Sequence, residues 1–111
     1  MSYKIKSKIW IETKGDILLG NGRVSLLKAI ENTGSLSKAA KLLGMSYKKA
    51  WSLTQAMNKR AQKPVIKMSI GGKGGGGAKL TLYGKSLIKA FETINENCNK
   101  FLENQLTKTS L

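Results

Sequence analysis

Along residues 3–11, apolar residues and lysines alternate with a period of two. The apolar residues occupy odd positions: Tyr3, Ile5, Ile9 and Ile11. Such alternation is typical of a β-strand with one buried face. The turn-forming sequence TKGD at 13–16 and the apolar residues after it predict a second strand, and hence a β-hairpin that ends near Gly20.

The spacing of apolar residues then changes to about three, which predicts a first helix over residues 22–33. Gly34 can adopt the left-handed conformation that ends a helix. Ser35 and Ser46 can each cap a further helix, a short one that ends at Gly44 and a longer one that ends before the single proline.

A second β-hairpin is predicted after the third helix. The apolar stretch VIKMSI at 65–70 and the stretch AKLT at 78–81 flank a run of glycines around one lysine. Two short strands joined by a glycine-rich tip fit this pattern.

A long helix is predicted from Leu82 to Leu106. Its apolar residues recur at alternating steps of four and three, which is a heptad seam: Leu87, Phe91, Ile94, Cys98 and Phe101. At 1.5 Å per residue such a helix is about 37 Å long, more than a small domain needs for its own core. The seam can pack along its own domain or against a second copy of the chain, and we favour a homodimer.

The net charge of the chain indicates the kind of partner it binds. The 111 residues, a length that suits one domain, contain 20 Lys and Arg against 6 Asp and Glu, with a formal net charge of +14. Such a surface attracts polyanions, of which nucleic acid and anionic membrane are the obvious ones. No apolar run is long enough to cross a bilayer and the start lacks a signal peptide, so we expect a cytoplasmic protein without a membrane partner.

Residues for catalysis or metal binding are scarce. The chain has no histidine and one cysteine, so the usual acid–base side chain and the usual ligands of a structural metal are missing. We therefore expect no catalytic residue, no cofactor and no metal, and we predict that the protein is not an enzyme.

The predicted elements follow the order of a winged helix-turn-helix: helix, short helix, tight turn, longer helix and hairpin. The predicted fold is α+β and mainly helical, with an N-terminal β-hairpin, a glycine-tipped β-wing and a long C-terminal dimerisation helix. In this arrangement the third helix lies in the major groove of DNA. Its candidate DNA contacts are polar residues at its start and on its outer side: Ser46, Tyr47, Lys48, Lys49, Ser52 and Gln55.

The chemistry of these residues suits DNA. Lys48 can donate to guanine and Gln55 can pair with adenine, whereas Lys49 suits a phosphate. The alternative for each lysine is a solvated position on the outer face of the helix. Trp51 can stack on a base, but it follows a buried position, and we expect it to fill the core between the third helix and the first hairpin. We assign no role to Trp10.

Further candidate DNA contacts lie in the second helix and the wing: Ser35, Ser37, Lys38, Gly72, Lys73, Gly74 and Lys79. Glycines at a wing tip let the backbone approach phosphates, and the lysines add charge. The tip also matches the glycine pattern of a dinucleotide-binding loop, but a strand rather than a helix follows it, which disfavours a nucleotide-binding enzyme. A tip that touches nothing is the remaining alternative.

Two stretches of the chain resemble one family. GSLSKAAKLLGMSYKKAW, and the glycine-rich stretch with LTLYG after it, are similar to the N-terminal DNA-binding domain of the ModE family of molybdate-responsive transcription regulators, which belong with the LysR-type winged helices. The resemblance runs from about Ile9 to Leu87. It implies a winged helix-turn-helix over residues 1–81, a dimerisation helix and tail of the same domain over 82–111, and a homodimer on a palindromic operator.

The chain departs from this family in one respect. Members that sense molybdate carry C-terminal molybdate-binding modules with an SARNQ-like stretch, and FLENQL near the end of this chain is not that motif. We therefore expect no molybdate binding by this chain, which leaves a separate sensor protein, a different effector, or a chain that is a fragment. The predicted function is a sequence-specific DNA-binding transcription regulator. The alternative is a nonspecific architectural protein of the nucleoid, which the charge alone fits equally well.

Overall fold

The computed structural model describes residues 2–69 and 77–111, which form four helices and two antiparallel two-stranded sheets. This confirms the predicted α+β, mainly helical fold with a winged helix-turn-helix. The elements are β1 (Trp10–Thr13), β2 (Asp16–Gly20), α1 (Asn21–Thr33), α2 (Leu36–Leu42), α3 (Tyr47–Arg60), β3 (Ile66–Met68), β4 (Ala78–Leu80) and α4 (Leu82–Lys108).

The first hairpin forms, but its first strand is shorter than predicted. The two turn residues Lys14 and Gly15 both have positive φ, 54° and 77°, as a tight hairpin turn requires. The predicted strand over residues 3–11 is wrong for residues 3–9, because β1 begins only at Trp10. That residue pairs with Gly20, the last residue of β2, and the chain then enters α1, so earlier residues have no strand to pair with.

The helix ends lie close to the predicted positions, and the predicted capping residues form them. Gly34 has a φ of 68° and closes α1. The hydroxyl of Ser35 accepts a hydrogen bond from the backbone N–H of Lys38 at 3.1 Å, and the hydroxyl of Ser46 accepts one from Lys49 at 3.0 Å. Each cap satisfies a backbone donor that the first turn of a helix leaves free.

A single apolar core holds the helices and both hairpins together. The largest of its fully buried side chains come from β2, α1, α3, the start of the wing and α4: Leu19, Leu26, Leu27, Ile30, Met57, Val65 and Phe91. Because α3 contributes its buried face to this core, its opposite face is fixed toward solvent.

The start of α4 is packed tightly against the first strand of the wing. The hydroxyl of Thr81 caps α4 by accepting a hydrogen bond from the N–H of Gly84 at 2.9 Å, and the N–H of Thr81 donates to the carbonyl of Val65 at 3.0 Å. A Cβ atom at Gly84 would collide with that same carbonyl oxygen. The glycine in LTLYG therefore allows α4 to cross directly over the backbone of Val65.

The far half of α4 extends beyond this core. At 1.5 Å per residue, the 27 residues of α4 span about 40 Å, and the molecule measures 61 Å along its longest axis. The near half is held by buried Ile88 and Phe91. An ion pair of 2.7 Å between Lys28 of α1 and Glu92 marks where this packing ends.

Candidate nucleic-acid interface

The outer side of α3 carries the residues predicted to contact DNA. Its buried face consists of Ala50, Thr54 and Met57. The predicted contacts are all exposed: Ser46, Tyr47, Lys48, Lys49, Ser52 and Gln55. The structure therefore presents them together on the sides of one helix that face solvent, with donors and acceptors of the kind that base edges in the major groove pair with.

The prediction that Trp51 belongs to the core is wrong. Its side chain is 47% exposed, and the space between α3 and the first hairpin is an open groove of about 450 Å³ whose lining includes Trp10, Met45 and Leu53. Trp51 follows buried Ala50 in the sequence, but an α-helix turns by about 100° per residue. That single step moves the indole off the buried face.

The start of α2 places two further predicted residues at the surface. Ser37 and Lys38 are exposed, whereas Ser35 is half-buried and uses its hydroxyl for the cap of α2. Lys38 therefore combines an exposed ammonium group with a position in the first turn of the helix that precedes α3. This is the turn that approaches the DNA backbone in a helix-turn-helix.

Asn58 joins α3 to the wing, a role that the sequence did not reveal. Its side-chain oxygen accepts hydrogen bonds from the backbone N–H groups of Val65 and Ile66 at 2.7 and 3.0 Å. Its side-chain nitrogen donates to the carbonyl of Ile66 at 2.9 Å. These three bonds fix the wing relative to α3. A single asparagine inside a helical pattern carries no signal for such a role.

The wing presents two lysines side by side. Lys67 of β3 and Lys79 of β4 are paired across the sheet and both are exposed, and the N–H of Ala78 donates to the carbonyl of Gly34 at 3.0 Å. The predicted contacts Gly72, Lys73 and Gly74 lie outside the described residues. Lys67 was not among the predicted contacts, although its place opposite Lys79 follows from the antiparallel register.

The charged residues are distributed unevenly along the chain. The six carboxylates are confined to residues 12–31 and 92–103. The intervening 32–91, which includes α2, α3 and the wing, has twelve basic residues: Lys38, Lys41, Lys48, Lys49, Lys59, Arg60, Lys63, Lys67, Lys73, Lys79, Lys85 and Lys89. Carboxylates would repel phosphates, so their absence from this stretch favours a polyanion partner.

An ion pair joins the first hairpin to the end of α3. Asp16 in the first hairpin lies 2.7 Å from Arg60 at the end of α3. Arg23 donates a hydrogen bond to the carbonyl of Ile17. Burial lowers the pKa of the Arg23 guanidinium, the charge of Arg60 lowers it further, and Asp16 opposes both effects. These groups brace the hairpin against α3.

The residues of the predicted dimer seam differ in their exposure. Phe91 is 1% exposed in the core of its own chain, and Leu87 packs against that core. Ile94 and Phe101 are 50% and 62% exposed. Cys98 is half-buried beside the hydroxyl of Ser7, with 3.9 Å between the sulfur and the oxygen.

Within residues 2–69 and 77–111, no helix combines the length and apolar content needed to span a bilayer. In the same part of the chain, no three His, Cys, Asp or Glu side chains are grouped closely enough to hold a metal ion.

The two helices joined by a tight turn, the exposed polar face of the second of them and the basic hairpin that follows define a winged helix-turn-helix protein. Comparison with known proteins shows which members of this class the chain is similar to. The chain is 47% identical over 72 residues to the transcriptional regulator ModE of Yersinia pestis, a match that covers 65% of this chain and 27% of the relative. It is 37% identical over 94 residues to the DNA-binding transcriptional dual regulator ModE of Escherichia coli K12, covering 85% and 33%.

A third relative has a different name. The molybdenum-pterin-binding protein MopB of Rhodobacter capsulatus is 49% identical over 84 residues, which cover 76% of this chain and 31% of MopB. No protein-family model matches the chain. The matches confirm the resemblance to the ModE regulators, and the chain is a homologue of these proteins over about a third of their length. Their names, which are those of regulators and binding proteins, support the prediction that the chain is not an enzyme.

Proposed function

We propose that this protein is a sequence-specific DNA-binding transcription regulator of the ModE type, which acts in the cytoplasm as a homodimer on a palindromic operator. The observation that carries the proposal is the exposed polar face of α3, set in a stretch of sixty residues that has no carboxylate. The relatives named as ModE regulators support the same function.

Base recognition is assigned to the middle of the exposed face of α3. Lys48, Ser52 and Gln55 are separated by four and three residues, so their side chains form one row along the helix. A lysine can donate to guanine, a glutamine can form two hydrogen bonds with adenine, and a serine can pair with either base. Lys49, Lys38 and the wing lysines are assigned to phosphates, which position the protein without selecting a sequence.

The homodimer is assigned to the far half of α4. Ile94 and Phe101 are seven residues apart and expose large apolar side chains on a helix that extends past its own core. A second copy of this helix is the simplest partner, because a two-fold interface lets the same patch cover itself. Two copies of α3 would then enter successive major grooves about 34 Å apart.

Molybdenum binding is not carried over to this chain. The name of MopB states that it binds molybdenum pterin, but the match covers 31% of that protein. We propose that these 111 residues bind DNA, and that any response to molybdate requires a separate sensor or a further part of a longer protein.

Selection of bound duplexes from a random DNA pool tests the proposal. We expect a palindromic consensus, bound at least about 1,000-fold more tightly than random DNA at equal salt. Gln55→Ala should remove the preference at one base pair of each half-site while the other positions persist. Gln62→Ala changes an exposed glutamine just after α3 and should leave the consensus intact.

The second candidate function is nonspecific DNA binding, which the net charge of +14 favours. Equal affinity for every duplex in the pool, with a strong salt dependence, would establish that function and contradict ours.

A further inference from the structure

Trp51 and Tyr47 form an exposed aromatic pair on the surface of α3. Their side chains are 47% and 52% exposed. Because they are four residues apart on one helix, they are neighbours along its surface. Aromatic side chains of this size gain free energy by burial, so an exposed pair on a helix assigned to DNA indicates a surface that a ligand covers.

The position of Trp51 on α3 suggests which ligand this is. Going around the helix from the buried residue Ala50, the indole comes about 100° later and Ser52 about 200° later. Gln55 follows Trp51 by one turn and is also exposed. Trp51 therefore borders the row of side chains assigned to base recognition, on the opposite flank of α3 from Lys49.

The major groove offers one apolar group to such a side chain. Thymine presents its C5 methyl there, beside the donor and acceptor groups of all four base pairs. We propose that Trp51 covers the C5 methyl of a thymine in the base pair adjacent to the one whose adenine Gln55 binds. Trp51 would thereby select an A·T base pair at that adjacent position in each half-site. This inference rests on the proposed function, since it assigns a specificity to the same face of α3.

Duplex selection with wild type and Trp51→Ala gives the first test. We expect Trp51→Ala to lose the thymine preference at one position of each half-site and to keep the preferences at the other positions. Trp10→Ala is a matched control, because Trp10 is 50% exposed but lies on the first hairpin. Its consensus should equal that of wild type. Trp51→Phe keeps an apolar ring and should keep the thymine preference.

Replacement of that thymine by uracil in one half-site gives the second test, since it removes a single methyl group. Covering one methyl contributes about 0.8 kcal/mol, so wild type should bind the uracil duplex about fourfold more weakly. Trp51→Ala should bind both duplexes equally.

Three outcomes would overturn the inference. An equal uracil penalty in wild type and Trp51→Ala would show that another side chain contacts the methyl. Uniform weakening of Trp51→Ala on all sequences would assign the indole to the sugar–phosphate backbone. Unchanged DNA binding with a changed oligomeric state would assign it to a protein interface. Failure of the proposed function is distinct from these, because wild type would then show no consensus at all.

Discussion

Gly84 has a structural role that only its neighbours explain. In an isolated helix, glycine is less favourable than alanine by about 1 kcal/mol, so the sequence alone predicts that Gly84→Ala stabilises α4. In the structure an added Cβ meets the carbonyl oxygen of Val65, which is also bonded to Thr81. Because the backbones of α4 and Val65 approach so closely, we expect Gly84→Ala to destabilise the protein rather than to stabilise it.

We predict that Gly84→Ala destabilises the protein by about 3 kcal/mol, because α4 must move away from the wing to relieve the collision. Urea unfolding followed by circular dichroism measures the change. Gly22→Ala is the control, because Gly22 lies in the first turn of α1 and an added Cβ there meets nothing within 4 Å. The stability of the Gly22→Ala protein should equal or exceed that of wild type. Equal effects of the two substitutions would contradict the packing assigned to Gly84.

Some side-chain contacts join residues close in the sequence, and others join residues from different elements. The caps at Ser35 and Ser46 involve partners three residues away, so the sequence predicts them. Asn58 forms hydrogen bonds with residues seven and eight positions away, beyond the end of its helix, and nothing in the residues around it indicates these partners. Trp51 lies about 100° around the helix from buried Ala50, so the helical period itself places it off the buried face.

At the scale of elements, the two halves of α4 have different surroundings. The near half closes the core with Phe91, and the far half exposes Ile94 and Phe101. The heptad pattern alone does not distinguish the two halves, because burial against the same chain and burial against a second chain select the same residue types.

We predict that Phe101→Glu weakens the homodimer by about a hundredfold or more, because burying a phenylalanine contributes about 1.5–3 kcal/mol and the dimer loses one from each subunit. Sedimentation equilibrium at several protein concentrations measures the dissociation constant. Thr107→Glu, an exposed change near the end of α4 and about 120° around the helix from Phe101, is the control and should leave the dimer intact. A wild-type chain that stays monomeric at all concentrations would contradict the proposed homodimer.

The N-terminal segment is the element for which the pattern was misleading. Residues 3–11 alternate like a strand, but a strand needs a partner of matching length, and β2 ends at Gly20 because α1 begins at Asn21. Ser7 instead donates a hydrogen bond to Asn99 of α4 at 3.1 Å.

At the scale of the whole molecule, the separation of charge matters more than its total. All carboxylate side chains lie before residue 32 or after residue 91. Arg60 and Lys85 between them form ion pairs with Asp16 and Glu31, whereas the lysines of α2, α3 and the described part of the wing form none. The field of such a surface attracts phosphates from a distance and raises the rate of association.

We predict a slope near −7 for the logarithm of the binding constant against the logarithm of salt concentration, which corresponds to about eight neutralised phosphates per dimer. Lys79→Ala should bring the slope about two closer to zero, one contact for each subunit. Lys108→Ala removes an exposed lysine at the end of α4 and should leave it unchanged. Fluorescence anisotropy of a labelled duplex gives these slopes, and a wild-type slope near zero would contradict the electrostatic part of the proposal.

Local spacing and composition are enough to predict the order of helices and hairpins, the caps at Gly34, Ser35 and Ser46, and the excess of positive charge. Only the packed structure shows that Asn58 holds the wing, and that Phe91 and Phe101 of one seam have different surroundings. These properties depend on contacts between residues distant in the chain, which form only once the elements have packed.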